Sequence, residues 1–117
     1  GGAWLLPRLI GASRAAQLLF TGDVIDAATA KEWGLVSEIY PADQLMDEAM
    51  KLAERIAQQP PQALRLAKTL MRQANMASYD TIMELSASAQ ALMHETEDHI
   101  EGVNAILEKR KPEFKGR

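Results

Sequence analysis

"LAERIAQQPPQALRLAK", residues 52–68, decides the fold class. Proline has no N–H to donate and its ring clashes with the preceding helical turn, so no helix runs through Pro60-Pro61. A proline does fit the first position of a helix. The stretch therefore reads as the end of one helix and the start of another. The first spans 44–58, capped by Asp43, with Asp47 and Glu48 favourably placed near its positive end. Leu45, Ala49, Leu52 and Ile56 recur at spacings of four, three and four, which puts them on one face. The second spans 61–74, with a stripe of Leu64, Ala67 and Met71.

Working outward, Ser78 is a capping residue for a helix over 79 to about 94, whose inward positions are Ile82, Leu85, Ala89 and Leu92. Thr96 caps a last helix, 97 to about 109, which starts on Glu97 and Asp98 and ends on a basic run. That polarity complements the helix dipole at both ends. Pro112 closes it. Toward the N-terminus, 3–10 predicts a short helix with Pro7 near its first turn, closed by Gly11. Ser13 caps 14–21, with Gly22 as the stop. Asp26 caps "AATAKEW", and Gly34 stops it. "LVSEIY", 35–40, alternates and is β-branched, which predicts a short strand ended by Pro41. One strand cannot make a sheet. It is either extended chain packed on helices or it pairs with something elsewhere. The fold class is mainly α, with at most one short strand.

Composition agrees. The chain has 117 residues and no spacer, which predicts one domain, and its 47% apolar content is Ala, Leu, Ile and Met rather than aromatic. Without cysteine there is no disulfide or thiol chemistry, which fits a reducing compartment. No apolar run reaches the roughly 18 residues of a membrane span. The opening "GGAWLLPRLIG" has no basic flank of a secretory signal and no initiating Met, a hint of a longer protein. A net charge of −3 speaks against nucleic acid as a partner. Yet residues 101–117 are net +2, with Lys109, Arg110, Lys111, Lys115 and Arg117 against three acids. Such a tail invites an anion, and it is also where cations belong at any helix end.

"GGAWLLPRLIG", "AAQLLFTGDVIDAATAKEWGLVSEIYP", "LAERIAQQPPQALRLAK" and "TEDHIEGVNAILEKRKPEFKGR" follow one another in register. The series resembles the C-terminal part of the enoyl-CoA hydratase/isomerase family, the crotonase superfamily, over essentially the whole chain. The resemblance implies one C-terminal helical region of a crotonase-like α/β fold, with short helices and a strand over 1–41 and a long-helix oligomerisation part over 42–117. It implies acyl-CoA thioesters as substrates, with no tightly bound cofactor. The chemistry is an enolate held by two backbone N–H groups, with carboxylates moving protons. The glycine-rich oxyanion segments and the catalytic acids of the family lie ahead of "GG", and no acid precedes Asp23, so no catalytic residue is expected in this chain. The isolated chain is expected to be inactive. "GG-x-W-x-L-P-R" looks more like the isomerase side of the family than the hydratase side.

For partners, the resemblance implies trimers, often paired into hexamers, and a cytoplasmic setting without membrane or nucleic acid. It places Lys109 near the phosphates of a CoA bound by a neighbouring subunit, and assigns nothing to Arg110, Lys111 or Lys115. Where the family often has an aromatic over the adenine, this chain has Gln90, a departure that weakens the implied contact. Trp4 and Leu6 are candidates to line an acyl pocket, with core packing as the other reading. Gly102 predicts close packing inside the last helix or the approach of a neighbour. His94 and His99 are spaced so that a continuous helix would hold their rings about 140° apart, which argues against a metal pair. Ser86 and Ser88 carry no nucleophile motif. The alternative function is a stand-alone helical interaction module whose apolar stripes bind a partner and which has no enzymatic activity.

Overall fold

The computed structural model describes residues 1–117, with seven α-helices and no β-strand. The chain divides into two compact units, Gly1–Ala49 and Met50–Arg117.

In the first unit, α1 (Gly2–Ile10) starts early enough to carry Pro7 inside it. Gly11 both ends α1 and opens α2 (Ala12–Thr21). Its N–H donates to the Pro7 carbonyl, and its own carbonyl accepts from Ala15. Its φ of 82° with an extended ψ is open to glycine and strained for any residue with a Cβ. Ser13 therefore lies within α2 rather than capping it: the helix starts two residues sooner than the serine suggests. Asp26 does cap α3 (Ala27–Glu32), its carboxylate accepting the Thr29 N–H at 2.8 Å. Ile10, Ala15 and Ala30 are the buried apolar residues here. The 35–40 segment is not a strand. Leu35 and Val36 turn their N–H groups back to the Ala30 carbonyl and complete the end of α3. A Lys31–Glu38 ion pair then ties the irregular chain that follows. Alternation marked a face, but no neighbouring strand in this chain supplies a ladder.

α4 (Leu45–Ala57) follows a turn containing Asp43, in which Gln44 donates to Pro41. In the second unit come α5 (Pro61–Ala74), α6 (Tyr79–His94) and α7 (Glu97–Leu107). Pro61 takes the first position of α5. Ser78 and Thr96 cap α6 and α7, accepting from the Thr81 and His99 N–H groups. α5 packs on α6, and α6 meets α7. The helices stand where the sequence pattern puts them, but the faces they cover differ. On α5, Ala63, Leu66 and Leu70 are half-buried while Leu64, Ala67 and Met71 are exposed. On α6, Ile82, Ser86, Ala89 and Met93 are half-buried while Leu85 and Leu92 are exposed. On α7 the covered face is Asp98, Glu101, Gly102 and Ala105, and Ile100, Val103 and Leu107 face outward. No helix is long and apolar enough to cross a membrane.

Candidate functional site

α7 and the segment that follows it share a dense set of polar interactions. The helix stops at Leu107, short of the basic run, so no cation lies in its last turn. The stop is made by Lys109 at φ 54°, the one non-glycine residue in the left-handed region. Lys109 donates to the Ile106 carbonyl at 3.2 Å, and Arg110 donates to Ala105 at 3.0 Å. That is the Schellman pattern of helix termination. The end of α3 has the same pattern, with Gly34 donating to Lys31 and Leu35 to Ala30, but there a glycine takes the left-handed position.

Beyond this turn the tail folds back along α7, and the acids of the helix hold it. Arg110 forms a bidentate pair with Glu101, at 2.6 and 2.8 Å, and its Nε reaches Glu108 at 2.6 Å. Glu101 also accepts the Glu113 N–H. Asp98, only 3% exposed, accepts Lys115 N–H on one oxygen and Gly116 N–H on the other, at 2.6 and 2.8 Å. The Asp98 N–H in turn donates to the Arg117 carbonyl, and Arg117 pairs with Glu97. Gln62 of α5 donates to the Gly116 carbonyl. The Phe114 ring lies over Gly102, so the chain's own tail approaches that glycine.

Electrostatics follow the geometry. The Arg110 fork, reinforced by the Glu113 N–H, holds the Glu101 carboxyl at about 2. Glu101, and then Glu108, push the Arg110 guanidinium above its ordinary value. The tail's ion pairs thus belong to its two arginines, while Lys109, Lys111 and Lys115 stand outside them. A groove of about 580 Å³ runs beside the tail, walled by Gln58–Pro60, by α7 from Asp98 to Ile106, and by Arg110–Pro112 with Phe114.

The other sequence candidates lie apart from this cluster. Trp4 is partly exposed, with the Arg8 guanidinium 4.0 Å above its ring, and Leu6 is half-buried near Gly2. Gln90 is exposed on α6. His94 and His99 do meet, because the chain breaks at Thr96, but as rings stacked face to face at 4.5 Å. No group of three or more His, Cys, Asp or Glu side chains is placed to hold a metal. Sequence reasoning missed Asp98 and Glu101. The available signal was two acids one turn apart, on the face of α7 that also carries Gly102.

Comparison with known proteins completes the picture. The family model described as enoyl-CoA hydratase/isomerase matches residues 1–117. The chain is similar to a 1,2-epoxyphenylacetyl-CoA isomerase of Escherichia coli, with 38% identity over all of this chain and 45% of the relative. It is similar to a 2,3-dehydroadipyl-CoA hydratase of the same organism, with 37% identity over all of this chain and 46% of the relative. Isomerase and hydratase relatives thus stand at near-equal identity. Among solved structures, an enoyl-CoA hydratase from Bacillus anthracis superposes with a TM-score of 0.95 and 40% identity, over all of this chain and 45% of that one. The chain spans a little under half the length of the relatives it matches. Matched by the family model along its entire length and sharing the fold of a solved member, this chain belongs to the enoyl-CoA hydratase/isomerase family.

Proposed function

We propose that this chain is the C-terminal helical region of an enzyme acting on acyl-CoA thioesters. In this reading it carries subunit assembly and one phosphate contact of the CoA site. The oxyanion hole and the catalytic carboxylates, which move protons while backbone N–H groups hold the enolate oxygen, belong to the rest of the enzyme. The substrate needs no tightly bound cofactor, because the thioester carbonyl itself is polarised.

The observation that carries the reading is the charge arrangement at the end of α7. Internal carboxylates engage Arg110 and Arg117, and Lys109 stands at the turn outside the ion pairs. A compact ammonium in that position suits a phosphate as a point charge. The exposed apolar face of α7, with Leu107 75% and Ile106 78% exposed, supports the assembly role, since a helix of this pattern covers such a face against another surface. Trp4 and Leu6 are proposed to line the acyl side of the site.

The test is CoA titration of the intact protein at low salt. Lys109→Ala lowers affinity about two- to fivefold, the range of an exposed ion contact. Unchanged affinity removes the CoA contact from the reading.

A further inference from the structure

We propose that Glu101 is a positioning residue for Lys109: by holding Arg110 from the facing turn of α7, it fixes the left-handed turn at residue 109 and so the direction in which the ammonium leaves the helix end. The inference rests on the phosphate contact proposed for Lys109 and deepens it.

Lys109 occupies a backbone conformation that glycine occupies in the same pattern at the end of α3. A residue with a side chain persists there only when its surroundings over-determine it. Here they do. The residues on either side of it, Glu108 and Arg110, are bonded to each other at 2.6 Å. The other two guanidinium nitrogens of Arg110 are taken by the two oxygens of Glu101. The Arg110 N–H is fixed on Ala105. The same Glu101 carboxylate takes the Glu113 N–H, which anchors the chain on the far side of the turn. A planar fork meeting a carboxylate on two bonds defines direction as well as distance. Both acids nearest the turn are directed at Arg110, which leaves the Lys109 ammonium free of an internal partner. The geometry is that of a lysine aimed from a braced turn.

Electrostatics and positioning make opposite forecasts, which permits a test. Glu101→Gln removes a negative charge near the site and releases Arg110, so the field alone would tighten binding of an anion. Loss of positioning weakens it. With CoA as the probe and the intact protein, Glu101→Gln is expected to lower affinity about two- to fivefold, the whole of the lysine contact. In a Lys109→Ala background the same substitution is expected to bring no further loss, because only the gain from the field remains once the positioned lysine is gone. Should Glu101→Gln fail to fold, Arg110→Lys keeps the charge, loses the fork and carries the same forecast. Tighter or unchanged binding, or a loss that persists without Lys109, overturns the proposal. Lys109→Ala measured alone separates this failure from that of the phosphate contact itself.

Discussion

Replacing Lys109 by glycine should yield a protein that is more stable and binds CoA less well. Lys109 holds φ 54° in a bond pattern that Gly34 holds at φ 78°. For a residue with a Cβ, the left-handed conformation costs about 1–2 kcal/mol. Glycine's greater freedom in the unfolded chain takes back up to about 1 kcal/mol. A net gain of about 0.5–1 kcal/mol remains, which raises Tm by about 1–4 °C in a chain of the relatives' size. Lys109→Ala keeps the strained turn and is expected to show no such gain. Both variants lose the ammonium and are expected to bind CoA about two- to fivefold more weakly at low salt. Thermal and urea unfolding of the intact protein, paired with CoA titration, read both effects. A glycine variant no more stable than the alanine variant would refute the strain reasoning, whatever happens to affinity.

Three further outcomes follow from the tail. Glu101 titrates at about 2 when folded against an ordinary 4.5, so the folded state binds fewer protons. Its stabilisation is complete above the ordinary value and fades as pH falls through the folded one. The gap in urea midpoint between wild type and Glu101→Gln should therefore narrow on going from about pH 5 to about pH 3. Gly102→Ala should stabilise by about 0.5–1 kcal/mol, because the added Cβ would meet the Phe114 ring at 3.6 Å, an ordinary contact, in a helix interior that favours alanine; a lower Tm would show that the ring cannot accommodate it. Asp98→Ala should strand the N–H groups of Lys115 and Gly116 and cost about 2 kcal/mol or more, with faster amide exchange confined first to 113–117.

Local chemistry was legible in the sequence and remote partners were not. Asp26, Ser78, Thr96 and Pro61 start helices as read, because a cap needs only residues within one turn of itself. Helix ends were harder. Nothing in a lysine announces a left-handed turn, so the sequence alone extends α7 to about 109 and lets its basic run be read either as complementing the dipole or as awaiting an anion. The periodicity of Leu64–Met71 and Ile100–Leu107 is plain in the sequence, but this chain leaves both stripes exposed, because which face is covered depends on what packs there. On α7 it covers the acidic face with its own tail and leaves the apolar one outward. The 35–40 segment failed as a strand for the same reason, since pairing is not a property of one segment. At the candidate site, Lys109 came from resemblance to a family. The bracing by Glu101 and Asp98 could be seen only once the tail had been placed against the helix.

The fold-back of the tail also alters the charge that an approaching ligand meets. Residues 97–117 contain five acids and five bases, so the helix and its returning strap are electroneutral as one piece. The apparent basic terminus therefore projects little monopole field into solvent and contributes little long-range capture of a polyanion. Its lysines are felt only within roughly one Debye length, about 8 Å at physiological ionic strength. Under the phosphate contact proposed for Lys109, a ligand would be seated by other parts of the intact protein first, and this corner would act on residence time rather than on arrival.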